Sequence, residues 1–298
     1  MNTKLVILLC VTLPFAGFAQ INYVGGVYTQ NFDTLSSATV YTHYTNMPAG
    51  WTFASTYSAG SYVWTTVTNG YSNNYGKYCF SLAPGDPDKA AGLVIGTTGA
   101  AYLGACFRNA TGVALKSFSL SYFVEQWRKG AVTANDQVIP FSYSLTSTSL
   151  TSGTYVNVPA LDMHSINDGD GVAAALNGNA AANRQFISST VSGIVWSPDQ
   201  TLWIRWSGVP YSFFAAHALA IDDLSFRAVP ELQISPIGPA QYRISWSTNY
   251  DTCVLQSALT PTATNWDTVT NVPVVLGSEY CVGFDTADTQ RFFRLKMQ

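Results

Sequence analysis

Charge is what this chain has least of: 14 Lys and Arg against 17 Asp and Glu in 298 residues, a net charge of −3. No basic stripe exists to neutralise phosphates, which excludes nucleic acid as the main partner. Histidine is scarcer still. His43, His164 and His217 are widely spaced, so a zinc site built on imidazoles is not expected. Gly-x-Ser-x-Gly, His-Glu-x-x-His and a phosphate-binding glycine loop are all missing, which removes the commonest hydrolase, metalloprotease and nucleotide signatures. Past the N-terminus no stretch approaches the roughly 20 apolar residues of a membrane span. Long helix-forming charged runs are missing too.

What is present is apolar, aromatic and small. The chain is 47% hydrophobic and 14% aromatic, with 23 Gly and 17 Tyr, enough apolar surface for a sizeable core and too much for disorder. Ser, Thr, Asn, Gly and Tyr fill the polar positions, the composition of an all-β extracellular protein. Residues 1–19 read as an export signal: Lys4, an apolar Leu5–Phe15, then Gly17-Phe-Ala19 before Gln20. Leu9 precedes Cys10 where a lipoprotein signal needs a small residue, so simple secretion is expected. The mature chain then keeps Cys79, Cys106, Cys253 and Cys281, an even count that suggests disulfides with three possible connectivities. Pairing within halves, Cys79 with Cys106 and Cys253 with Cys281, is favoured by the domain boundary below; four buried free thiols are the alternative.

Strand patterns run the length of the chain. Tyr23–Leu35, Trp51–Phe53, Tyr62–Trp64, Tyr78–Phe80 and Ala91–Val94 open it. A hairpin is expected where Tyr102–Arg108 passes through Asn109-Ala-Thr-Gly112 into Val113–Val124, whose Leu115, Phe118, Leu120 and Tyr122 alternate in part. Val138–Leu145 and Phe186–Val195 follow, and Ala173–Leu176 reads as a helical turn. Asn167-Asp-Gly-Asp-Gly171 resembles a calcium loop but fails the EF-hand spacing, because Ile166 and Asn177 fall at ligand positions. Leu202–Trp206 and Leu219–Phe226 face each other across a loop, and Asp222 with Asp223 interrupts the second apolar ladder. From Val229-Pro230 onward, seven short strands at sandwich spacing predict a second module. The expected division is a signal over 1–19, a jelly-roll β-sandwich over 20–228 and a small immunoglobulin- or fibronectin-like β-sandwich over 229–298.

Gln30-Asn-Phe-Asp33, Pro48-Ala-Gly-Trp51, Glu125-Gln-Trp-Arg128, Asn183-Arg184 and Ala218–Phe226 together resemble a family of secreted bacterial jelly-roll domains of unassigned function. More loosely they resemble carbohydrate-binding, MAM-like and choice-of-anchor modules. Tyr242-Arg-Ile-Ser-Trp246, Val254-Leu-Gln-Ser257, Asn265-Trp266 and Arg291-Phe-Phe-Arg-Leu295 are similar to the fibronectin- or immunoglobulin-like module that ends many secreted bacterial proteins. The chain stops at Gln298 without a sorting tail, so a surface anchor is not expected. The jelly-roll resemblance implies a structural Ca²⁺ between the first and last strands, on Asp33 and Asp222; otherwise these are a hydrogen-bonded carboxylate pair.

Clustered charges and aromatics mark the candidate site: Glu125, Trp127, Arg128, Trp203, Arg205 and His217. Trp127 or Trp203 would be a stacking platform for a glycan, with Arg or Glu on its hydroxyls. The bland alternative pairs these groups with one another at the sandwich rim, Arg stacked on Trp. Glu125 with Asp222 is the one carboxylate pair to nominate for glycoside hydrolysis. A non-catalytic glycan-binding or surface-interaction protein is the expectation, with a polysaccharide hydrolase or lyase and a structural spacer as competitors.

Overall fold

Partial alternation gives Leu115–Lys129 one face to bury. Phe118, Leu120, Tyr122 and Val124 point inward, while Ser117, Ser119, Ser121 and Phe123 take the other side. A computed structural model of the chain describes residues 19–35, 47–56, 67–71, 75–95, 99–131, 136–168, 170–209, 217–230, 232–250, 253–285 and 290–297. The expected export segment short of Ala19, the expected strand Tyr62–Trp64 and His43 lie outside these residues. The fold is all-β, with three 3-10 turns, Pro159–Leu161, Ala181–Asn183 and Thr248–Tyr250, as the helical pieces among the described residues.

Two large sheets make a jelly-roll sandwich. In the eight-stranded sheet, Leu115–Lys129 is the central strand. It is flanked by Arg184–Trp196 on one side and by the closing strand, Ala218–Pro230, on the other, both antiparallel. The closing strand also receives the opening strand Tyr28–Gln30, with Leu224 opposite Gln30. The two ends of the sandwich therefore lie side by side. In the six-stranded sheet Ala101–Asn109 pairs with Thr201–Gly208, and Trp51–Ser55 and Ile21–Tyr23 attach to it.

The core between the sheets is aromatic at its centre. Phe226 stacks on Phe107 at 4.3 Å and on Phe118 at 5.6 Å, and Tyr23 meets it edge-on at 5.5 Å. Beyond Pro230 the strands pair among themselves in a four-stranded and a three-stranded sheet. They are not detached from the sandwich. Ile244, Trp246, Tyr250, Cys253 and Leu255 join the same buried cluster. The Tyr23 hydroxyl accepts from the Ala228 N–H (2.9 Å) and donates to its carbonyl (3.0 Å), pinning the chain where it leaves the sandwich.

Two expectations about local structure are corrected. Ala101–Asn109 and Leu115–Lys129 are not a hairpin but an arch between the two sheets. Each has an apolar face, and the two faces oppose across the core. Asn109 shapes the turn, donating to the Val113 and Trp196 carbonyls (2.8 Å each) and accepting from the Thr111 N–H. The helical turn at 173–176 is instead a two-residue strand, Ala174–Ala175, paired with Lys129 and Arg128.

The expected disulfides are not formed: the four described cysteines are buried thiols. Cys79 packs in the inter-sheet core, whereas Cys106 sits with Leu150 and Trp203 on the far side of the six-stranded sheet. No bond can form through that sheet. Cys253 and Cys281 belong to different sheets, and Arg227 donates to the Cys253 Sγ at 3.5 Å. Burial pushes the Cys79 and Cys106 thiols up to about 12, so they behave as small apolar side chains.

If Phe226 is the centre of the core, Phe226→Ala lowers unfolding free energy by about 3–5 kcal/mol in urea denaturation. A loss below about 1.5 kcal/mol would show that the ring is not central.

Candidate functional site

The outer face of the eight-stranded sheet changes character along its length. At one end it is covered. Trp127 is fully buried, stacked on Phe80 at 5.8 Å, and donates its indole N–H to Glu125 Oε2 at 3.0 Å. Two backbones press on this residue: a Cβ at Gly178 would lie 2.4 Å from the indole, and one at Gly70 would lie 1.7 Å from the Trp127 carbonyl oxygen. Trp127 is therefore core, not a stacking platform.

Beside it lies an ionic knot. Arg184 reaches Glu125 Oε1 through Nε (3.1 Å), and Asp222 Oδ2 (3.3 Å) and Asp223 Oδ2 (2.6 Å) through Nη2. Its guanidinium also lies over the Phe123 ring, 3.8 Å from the centroid. Glu125 and Asp222 are 1% and 2% exposed, and Asp222 Oδ1 has no hydrogen-bond partner among the described residues. Burial pushes Glu125 up to about 7, outweighing Arg184 and the Trp127 N–H. Burial first, and then the Glu125 charge, raise Asp222 to about 8.

Past the knot the face opens. Phe186 is 57% exposed and meets Phe123 edge-on at 5.3 Å. Register then places hydroxyls side by side: Ser121 between Ser188 and Ser225, Thr190 beside Ser119, and Ser192 beside Ser117. The Ser119 and Thr190 hydroxyls are hydrogen-bonded at 2.7 Å. Alternation on two adjacent strands builds this surface. Its signal stood in the sequence as Ser-x-Ser-x-Ser-x-Phe over 117–123 and Phe-x-Ser-x-Thr-x-Ser over 186–192, yet Phe123 and Phe186 were not among the site residues expected from sequence.

The six expected ligand residues do not converge. Glu125, Trp127 and Arg128 lie on the eight-stranded sheet, Trp203 and Arg205 on the six-stranded one. Arg128 donates to the Gly70 and Tyr71 carbonyls (3.2 Å each). Trp203 is buried at 5% with Cys106 and Leu150. Arg205 is held between Tyr155 (3.5 Å) and Tyr102 (5.2 Å) and donates to Ser142 Oγ. His217 is fully buried, its Nδ1 accepting from Gln126 Nε2 (2.8 Å) and the Gly130 N–H (3.3 Å). Apart from the Glu125–Trp127 bond, each group is held by its own neighbours, and Arg205 stacks on tyrosine rather than tryptophan.

The expected calcium ligands each have partners within the chain. Asp33 Oδ1 accepts from the Lys89 N–H (3.1 Å) and its carbonyl from Lys89 Nζ (2.7 Å), while Asp222 is on Arg184. No group of three or more His, Cys, Asp or Glu is arranged to hold a metal among the described residues. In the 167–171 turn, Asp170 accepts from Lys129 Nζ at 2.7 Å.

No protein-family profile matches the chain, and no curated protein does. Among solved structures it is similar to the K2 cleaved adhesin domain of Lys-gingipain of Porphyromonas gingivalis, at 16% identity over 67% of this chain and 97% of that one, TM-score 0.36. The CBM22-1 xylan-binding domain from Paenibacillus barcinonensis Xyn10C aligns at 11% identity over 72% of this chain and 99% of that one, TM-score 0.30. The enzymatically active domain of bacteriophage CBA120 tailspike protein 4 aligns at 10% identity over 71% of this chain, which spans 22% of that chain, TM-score 0.33. With scores this low the likeness carries no weight for function.

Both buried acids have folded pKa values above their unfolded ones, near 4. Between about pH 4 and pH 8 the folded chain therefore keeps protons that the unfolded chain has released, and stability falls as pH rises through that window. The Tm is expected to drop by at least about 3 °C from pH 5 to pH 9, and Asp222→Asn to remove much of the drop. Equal drops in both proteins would show that Asp222 is not the source.

Proposed function

We propose that this is a secreted, non-catalytic carbohydrate-binding protein whose binding surface is the outer face of the eight-stranded sheet. One observation carries the reading: an exposed aromatic, Phe186, propped on Phe123 and continued by side-by-side ranks of Ser and Thr hydroxyls. Sugars present C–H faces that pack on aromatic rings and hydroxyls that exchange hydrogen bonds with Ser and Thr. In the same reading, residues 229–298 form the immunoglobulin- or fibronectin-like module at the end of the sandwich.

The hydrolase alternative rests on Glu125 and Asp222. Their burial under Arg184 speaks against it, because a general acid must reach the glycosidic oxygen and these carboxylates are turned to an indole and a guanidinium. A glycan array run beside a reducing-sugar assay is expected to give binding without turnover. Phe186→Ala is expected to weaken binding at least about tenfold. Product release that disappears in Glu125→Gln would overturn the non-catalytic reading, and silence on the array would leave a structural spacer.

The fold is also proposed to hold without calcium, since the Asp33 carboxylate already accepts from Asn31 and the Lys89 backbone N–H, and Arg184 already lies on Asp222 Oδ2. EDTA is then expected to leave the Tm unchanged. A fall of about 2 °C or more, reversed by added Ca²⁺, would put an ion back on that pair.

A further inference from the structure

A cleft of about 890 Å³ lies where the outer face of the eight-stranded sheet meets the last strand, Phe292–Met297. One wall continues the hydroxyl ranks with Ser117, Ser119, Thr190 and Ser192. Val229, Pro230 and Leu232 supply apolar lining. The opposite wall is basic: Arg291, Arg294 and Lys296, all exposed.

The charge of this lining runs against that of the chain. The protein as a whole is acidic, with 17 Asp and Glu against 14 Lys and Arg, yet among the described residues no carboxylate lines the cleft while three cations do. None of the three makes a salt bridge among the described residues. Arg294 is oriented instead by a hydrogen bond from Nε to Gln256 (3.0 Å) and by the Trp266 ring, 4.5 Å from its guanidinium carbon. That arrangement fixes the side chain through a neutral amide and a ring, with no described carboxylate on it. Cations held beside hydroxyls, in a site large enough for several sugar rings, match a ligand that carries both sugar hydroxyls and regularly repeated negative charge.

We infer that the cleft binds an acidic polysaccharide, its carboxylates on Arg291, Arg294 and Lys296 and its hydroxyls on the serine and threonine wall. This rests on the carbohydrate-binding reading and narrows it to polymers of acidic sugars. The Phe186 platform and the cleft share one strand face. Phe186 and Ser192 are six residues apart on one strand, about 20 Å, so a single chain can run from the platform into the cleft.

The test uses the full chain with polygalacturonate, a neutral galactan and single-stranded DNA as probes, by calorimetry. Polygalacturonate is expected to bind at least about tenfold more tightly than galactan, with affinity falling as salt rises from about 50 to about 500 mM. The double variant Arg291→Ala/Lys296→Ala is expected to erase that advantage while leaving galactan binding and the Tm unchanged. Equal affinity of parent and double variant for polygalacturonate overturns the inference, and if Phe186→Ala still abolishes galactan binding the broader reading survives it. Tighter binding of DNA than of polygalacturonate overturns it as well. Binding of neither polysaccharide removes both readings.

Discussion

The phase of the closing strand is the constraint on which the sandwich depends. In a β-strand a slip of one residue turns every side chain to the opposite face. From Ala218 to Ile221 the strand already alternates, with Leu219 and Ile221 in the inter-sheet core and Ala218 and Ala220 in the small outer cluster around Trp127. Strict alternation onward would send Asp223 into the core and Leu224 and Phe226 out. The bulge between Asp222 and Ser225 prevents this. Asp223 takes a positive φ of 46°, a conformation that aspartate tolerates better than most residues, and absorbs the extra position. Leu224, Phe226 and Ala228 then point inward, and Phe226 becomes the hub of the aromatic core.

Placing two carboxylates at the bulge has an electrostatic cost. Asp222 is turned outward against the central strand, next to Glu125, where burial disfavours charge on both. Arg184 answers it from the flanking strand, opposite Glu125 in the register. One guanidinium serves three carboxylates, and because it does not fully offset desolvation the two buried acids keep their protons into the neutral range. The knot ties together the three strands that form the open face.

Much of this architecture was legible in the sequence. Short alternating runs and turn residues gave an all-β sandwich, and the meeting of its opening and closing strands is seen directly in the pairing of Tyr28–Gln30 with Ala218–Pro230. What failed was pairing at a distance. The 109–112 turn looks like a hairpin because local sequence does not say whether two amphipathic strands share a sheet or face one another across a core; both arrangements bury the same residues. The cysteines misled for a related reason. An even count invites bridges, but which face each thiol takes depends on its sheet. The site residues were chosen for charge and ring size, which select buried, mutually satisfied groups as readily as exposed ones. In a protein with so few charges, Glu125, Arg205 and His217 stand out because each sits inside a hydrogen-bonded or stacked cluster. The open surface is instead made of serine, threonine and one phenylalanine, residues that draw no notice singly and acquire meaning once two strands are placed in register.

That register also makes the open face a prepared one. Phe123 is packed against both the Arg184 guanidinium and the Phe186 ring, so its ring is fixed before any ligand arrives. The hydroxyls of Ser119 and Thr190 already hold each other, which sets their spacing by the 4.7–4.9 Å separation of neighbouring strands rather than by flexible side chains. Association forfeits the freedom of every group it must immobilise, and a surface of short side chains on paired strands has little left to lose. The buried acids and the exposed platform are thus one construction: the arginine that neutralises the bulge is the same group that steadies the ring beside which Phe186 stands.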